Sequence, residues 1–95
     1  MNFKFEWSRR KAASNLSKHR VSFEEALTVF ADPLARIFDD VDHSIEELRE
    51  IIIGHSSQSR LLLVCFTAHG ESVRIFSARR ATRGERENYE ENVQK

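Results

Sequence analysis

The feature that most constrains this chain lies between residues 60 and 89. Six consecutive apolar residues, Leu61 to Phe66, have the length of a strand buried on both faces. Ala68-His69-Gly70-Glu71 follows, with a glycine where a tight turn needs positive φ. A second strand then alternates Val73, Ile75 and Ser77 on one face with Arg74, Phe76 and Ala78 on the other. By that alternation Arg79 continues the side of Val73, Ile75 and Ser77, and Arg80 points elsewhere. Thr82 and Glu85 have capping-box spacing and start a helix at Arg83 that runs to about Val93. The hairpin thus delivers arginines to a point where strand becomes helix. The first N–H groups of a helix are unpaired and favour anions. Arg74, Arg79, Arg80, Arg83 and Arg86 around that point read as a phosphate-binding surface.

Upstream, Phe3 and Phe5 alternate with Lys4 and Glu6, a short strand signal. Ser8 is an N-cap for a helix from Arg9 to about Lys18 whose apolar face, Ala12, Ala13 and Leu16, is thin. Ser22 and Glu25 form a second capping-box pair, and Phe23, Ala26, Leu27 and Phe30 make one apolar stripe. Asp32-Pro33 ends that helix, because the residue before proline is pushed out of the α region. Leu34 to Asp40 reads as a strand running into an acidic loop, Asp39 to Glu47. Glu50 to His55, Arg60 to Thr67 and Ser72 to Ala78 complete a sheet. Connections this short exclude parallel crossovers between these strands. The expected fold is therefore α+β: two N-terminal helices, a four-stranded antiparallel meander sheet and a C-terminal helix, in one domain spanning residues 1–95.

Composition narrows the function classes. The longest apolar run is far too short to span a bilayer, and the N-terminus lacks the pattern of a secretory signal. The one cysteine, Cys65, reads as a small core hydrophobe, and the expected compartment is the reducing cytoplasm. A net charge of zero hides segregation: residues 1–22 carry +5, 23–50 carry −7, 51–86 carry +4 and 87–95 carry −2. A positive and a negative face follow if these segments separate in space. The four histidines are widely spaced and match no zinc pattern, and Asp39, Asp40 and Asp42 lack the glycine and terminal glutamate of a calcium loop, so no metal or cofactor is expected. There is no glycine-rich phosphate loop and no glycine-flanked nucleophilic serine.

Cutting a phosphate ester without a metal requires cations on the phosphate, a group that deprotonates the attacking hydroxyl and one that protonates the leaving oxygen. Arginine suits the first role through its planar, permanently charged fork. Arg60 and Arg79 border strands and lack i,i+4 carboxylate partners, which favours a functional role. Arg83 with Glu87 and Arg86 with Glu90 have that spacing, so for them a surface salt ladder stands open beside phosphate binding. Lys18 in the last turn of its helix complements the macrodipole, and His19 beside it is either a capping residue or a proton-transfer group. His43, next to Asp42, is a reserve base or a loop residue. Tyr89 is a candidate proton donor or stacking platform whose position also suits core packing.

Phe5-Glu6-Trp7, Asn15 to His19 (NLSKH), Val21 to Ala26 (VSFEEA), Val29 to Pro33 (VFADP), Asp42-His43-Ser44, Arg49 to Gly54 (REIIIG), Phe66-Thr67 and Arg74 to Tyr89 together resemble the BrnT family, the ribonuclease toxins of bacterial toxin–antitoxin pairs. Arg20 departs from the resemblance where the family has a glycine after Lys-His, and Ala68-His69 replaces a charged pair. The resemblance implies a RelE-like fold and an endoribonuclease that cleaves mRNA, inhibiting translation and growth; the arginine cluster and the missing ligand spacing add the expectation that it is metal-independent. It implies a cognate DNA-binding antitoxin, BrnA-like, in a hetero-oligomer that binds operator DNA. It favours a functional role for Lys18 and His19, which join Arg60, Arg79 and the reserve His43 as catalytic candidates, beside Arg74, Arg80, Arg83, Arg86 and Tyr89 for RNA binding. A non-catalytic module that binds RNA or a protein through the same arginines is the alternative reading.

Overall fold

The structure, a computed structural model, describes residues 3–40 and 48–93. Its elements run β1 (Lys4–Glu6), α1 (Arg9–His19), α2 (Phe23–Leu27) with a 3-10 turn over Thr28–Ala31, β2 (Arg36–Asp39), β3 (Glu50–His55), β4 (Leu61–His69), β5 (Ser72–Arg80) and α3 (Arg83–Val93). The sheet has five strands in the order β1-β5-β4-β3-β2. The four-stranded antiparallel meander is therefore corrected to a mixed sheet, because β1 joins the outer edge of β5 in parallel. Lys4 N–H donates to Glu71 O at 2.8 Å to start that pairing. Short connections restrict only consecutive strands, and β1 reaches β5 from the far end of the sequence.

Local signals account for most element ends. Ser8 Oγ accepts from Lys11 N–H at 3.3 Å, and Ser22 Oγ accepts from Glu25 N–H at 3.0 Å. Arg20 itself adopts the left-handed conformation (φ 59°, ψ 32°) that a glycine would supply, and its N–H closes onto Leu16 O at 2.9 Å. The turn survives the departure, at a cost of about 1 kcal/mol for a residue with a Cβ. Gly70 takes φ 59° at the hairpin tip, as the turn requires. The second helix is shorter than its stripe suggests. After Leu27 it tightens to 3-10, where side chains three apart eclipse. Phe23, Ala26 and Val29 are therefore the fully buried residues, and Phe30 is only partly covered.

The sheet is apolar on both sides. On the α1–α2 side Phe23, Ala26 and Val29 pack on Ile52, Leu62, Val64, Phe66, Val73, Ile75 and Ala78. Each large side chain buried there contributes about 1.5–3 kcal/mol. On the other side α3 covers Ile53, Leu61 and Leu63 through Tyr89. The ladder between β4 and β5 contains one irregularity: Cys65 faces Ser77, and Phe66 faces Ile75. Phe76 is thus an extra residue, a β-bulge that reverses the alternation beyond it. Ala78 returns to the helix side with Val73 and Ile75. Arg79 consequently lies on the face opposite Val73 and Ile75, which corrects the side expected from simple alternation. Asn15, buried in α1, secures this register: its Nδ2 donates to Ala78 O at 2.8 Å and to Val21 O at 2.9 Å, and its Oδ1 accepts from Ala78 N–H at 3.1 Å.

Candidate functional site

The face onto which the bulge turns Arg79 carries a half-open pocket of about 370 Å³ lined by Lys11, Asp40, Arg49, Ile51, Leu63, Cys65, Phe76, Ser77 and Arg79. Three elements supply its cations: Lys11 comes from α1, Arg49 from the residue before β3, and Arg79 from the end of β5. Their charges meet around the Phe76 ring. The Arg49 guanidinium carbon lies 3.9 Å from the ring centroid and Lys11 Nζ lies 5.0 Å from it. The bulge is what presents Phe76 and Ser77 to this pocket together.

Arg79 is held in place. Its Nη1 and Nη2 donate to Glu85 Oε1 and Oε2, each at 2.8 Å, a two-pronged ion pair. Glu85 Oε1 also accepts from Thr82 N–H at 2.8 Å, and Thr82 Oγ1 accepts from Glu85 N–H at 3.2 Å. The capping box is complete, and its glutamate doubles as the anchor of Arg79. The Arg79 contact, ahead of the bonds from Thr82, holds the Glu85 carboxyl down at about 2. In return Glu85 raises the guanidinium pKa above its ordinary value. Arg79 has no carboxylate at i,i+4, but one six residues away across a strand-to-helix turn pairs with it.

On the pocket wall, Cys65 Sγ donates to Asp40 Oδ2 at 3.3 Å. Burial, and then the neighbouring carboxylate, push the thiol up to about 12. Cys65 is therefore a protonated donor at neutral pH and no nucleophile.

Arg60 lies elsewhere and is also paired, with a carboxylate far off in sequence. Its Nε donates to Glu25 Oε2 at 2.9 Å, its Nη2 to Glu25 Oε1, and the same Nη2 to Arg20 O at 3.1 Å. Glu25 is buried and also accepts from Ser56 Oγ at 2.6 Å. The Arg60 bond, against the opposing effect of burial, holds the Glu25 carboxyl below the usual range, with Arg80 adding a weaker pull. Arg60 and Arg80 therefore gather at the corner between α1 and α2, where Lys18 is exposed and His19 half-buried at the end of α1. Lys18 is seven residues beyond Lys11, about 10 Å along the helix axis, and does not line the pocket.

The remaining candidates spread out. Arg74 is exposed near the hairpin, 3.8 Å from Glu6. Arg83 pairs with Glu87 at 3.3 Å, the helix-face pair its spacing indicates. Arg86 is exposed and makes no ion pair with a described residue. Tyr89 is a core residue, only 5% exposed, whose hydroxyl donates to Leu34 O at 3.3 Å and whose ring meets His55 edge-on at 5.7 Å. His43 lies outside the described residues. Among the described residues no three His, Cys, Asp or Glu side chains cluster as a metal site, and no helix is long and apolar enough to cross a membrane.

Sequence reasoning missed Lys11, Arg49, Phe76 and Asp40. The bulge that turns Phe76 to this face leaves no mark in an uninterrupted strand pattern, and Lys11, Asp40 and Arg49 join it from three other segments only through tertiary packing.

The chain and its fold have counterparts among known proteins. A family model described as the ribonuclease toxin BrnT of type II toxin–antitoxin systems matches residues 7–85. The 1.1 Å crystal structure of the Brucella abortus ribonuclease toxin BrnT superposes with a TM-score of 0.67 at 21% identity, covering 86% of this chain and 100% of that one. At that identity the likeness is one of fold. No curated protein matches by sequence.

Proposed function

This chain belongs to the BrnT family of type II toxin–antitoxin ribonucleases, and from that membership we propose that it is a metal-independent endoribonuclease that cleaves mRNA in the cytoplasm. The observation that carries the site is the convergence of Lys11, Arg49 and Arg79 on one pocket around the Phe76 ring. A scissile phosphate bound there meets cations from three elements. Attack of the 2′-oxygen on phosphorus forms a 2′,3′-cyclic phosphate and expels the 5′-oxygen. The charge that grows on the phosphoryl oxygens is offset by side chains already positioned for it. Asp40 is the carboxylate on the pocket wall and takes the acceptor role for the 2′-OH proton. Lys11 is the ammonium placed to return a proton to the leaving oxygen.

Lys18, His19, Arg60 and Arg80 form a second basic corner on the other side of α1. There Arg80 and Lys18 serve as phosphate contacts along the RNA, while Arg60 ties α1, α2 and β4 together. Neutralisation follows when a BrnA-like antitoxin covers the pocket, and the resulting complex binds its operator. The alternative, a module that binds RNA without cutting it, draws on one observation: both terminal nitrogens of Arg79 are already engaged by Glu85.

The test is single-turnover cleavage of single-stranded RNA in a chelator, with the product ends identified. Cyclic or 3′-phosphate ends, with turnover cut about a hundredfold in Lys11→Ala or Arg49→Ala, support the reading. Activity that vanishes with chelation and returns with magnesium overturns the metal-independent mechanism. RNA binding with no cleavage at any protein concentration leaves the binding module.

A further inference from the structure

Strand β2 is an outer strand of the sheet, and its exposed surface is partly apolar. Leu34, Ile37, Phe38 and Leu48, on or beside it, are 48–64% exposed. Natural edge strands are commonly guarded by charge, a bulge or proline, since a bare edge offers its backbone to any extended chain. Here Ile37 and Phe38 put apolar side chains on both faces of the edge. Asp40 N–H donates to Arg49 O at 2.9 Å, and the ladder continues Asp39–Glu50, Phe38–Ile51, Ile37–Ile52. Antiparallel alternation from that bond turns the N–H and C=O of Ile37 and Asp39 outward, away from β3.

The surroundings indicate what the edge takes. Asp39 is exposed and faces Glu50 across the ladder. The last turns of α3, with exposed Glu87, Glu90 and Glu91, lie beside β2: Arg36 Nη1 donates to Asn92 O at 3.3 Å and Tyr89 Oη donates to Leu34 O. Such a border repels RNA phosphates and attracts a basic polypeptide. Beside Phe38 a groove of about 340 Å³ between β2 and α3, floored by Ile53, Leu63 and Tyr89, gives alternate side chains of an added strand a place to sit.

We propose that the outer edge of β2 is the docking strand for the antitoxin, which adds an extended segment of alternating apolar and basic residues to the sheet. This rests on the type II reading above and goes beyond it: the anchor is the acidic edge, and the basic pocket is a separate surface.

The test uses the full chain, alone and co-expressed with the protein encoded by the reading frame adjoining its gene. Amide exchange at Ile37 and Asp39 should slow at least about tenfold in the complex, and Ile37→Lys should weaken the complex by about tenfold or more. Ile37 is exposed, so the lysine leaves the fold intact. A complex that silences the toxin while both amides exchange as in the free chain, and Ile37→Lys binds like wild type, overturns the docking edge and leaves the type II pairing standing. Absence of any complex, with growth arrest unrelieved by co-expression, removes the type II reading itself and the proposal with it. A free chain that dimerises, and that Ile37→Lys returns to monomer, assigns the edge to a second copy and overturns the proposal.

Discussion

Replacing Arg60 with alanine should destabilise the fold before it touches any chemistry. The Glu25 carboxylate is 2% exposed, and Arg60 supplies two of the three side-chain donors that satisfy it. Removing one partner of a buried pair costs about 3–5 kcal/mol, because the other charge stays buried. The Arg60 side chain is 25% exposed, so water can enter the space it leaves, and the lower end, about 3 kcal/mol, applies. For a domain of this size that lowers Tm by roughly 12–20 °C, or the urea midpoint by about 2 M at a slope near 1.5 kcal/mol/M. The double variant Glu25→Met with Arg60→Ala removes both charges and should recover much of the loss, giving a coupling of about 2 kcal/mol. Linkage supplies a second signature. The folded Glu25 carboxyl lies below its unfolded value, so its stabilisation is present above the unfolded pKa and is lost as pH falls through the folded one. Urea titrations of the four species at neutral and acid pH are the assay. A loss below about 1 kcal/mol in Arg60→Ala, additive with Glu25→Met, would refute the structural tie and return Arg60 to the catalytic candidates.

Glu85→Gln should flatten the acid limb of stability. The Glu85 carboxyl titrates at about 2 against an ordinary 4.5, so its contribution holds above 4.5 and disappears on descent toward 2; partial exposure discounts it to about 1 kcal/mol, read from melts across that window. Arg79→Ala should lose turnover by about a hundredfold at saturating protein while still binding RNA, whereas Arg80→Ala should bind more weakly and cleave bound RNA nearly normally; equal small losses in both favour the binding module. Arg20→Gly should raise stability by up to about 1 kcal/mol, since glycine takes φ 59° without strain; an unchanged or lowered melting temperature counts against strain at that turn. Cys65 should resist alkylation at pH 8 in the folded chain, and Asp40→Asn should speed it measurably by relieving the carboxylate's hold on the thiol.

What the sequence determined by itself was local. Ser8, Ser22 and Thr82 cap helices as their spacing requires, because a cap needs only residues three positions apart. Gly70 turns the hairpin, and Glu50 to His55 and Arg83 to Val93 form the elements their patterns indicate. The ordered match to the family also reads straight off the chain. Tertiary structure decided the rest, because the partners lie far apart in sequence. Glu25 chooses Arg60 over its own N-cap backbone only once α2 packs against the start of β4. Strand β1 pairs with β5 from the opposite end of the chain, and Phe5 packs on Phe30 and Phe30 on Phe66. One inserted residue, Phe76, changes the parity of β5, so the face of Arg79 cannot be counted from Val73. A strand pattern records which residues alternate; where the partner strand skips one is set by packing across the sheet and by the Asn15 side chain that clasps Ala78.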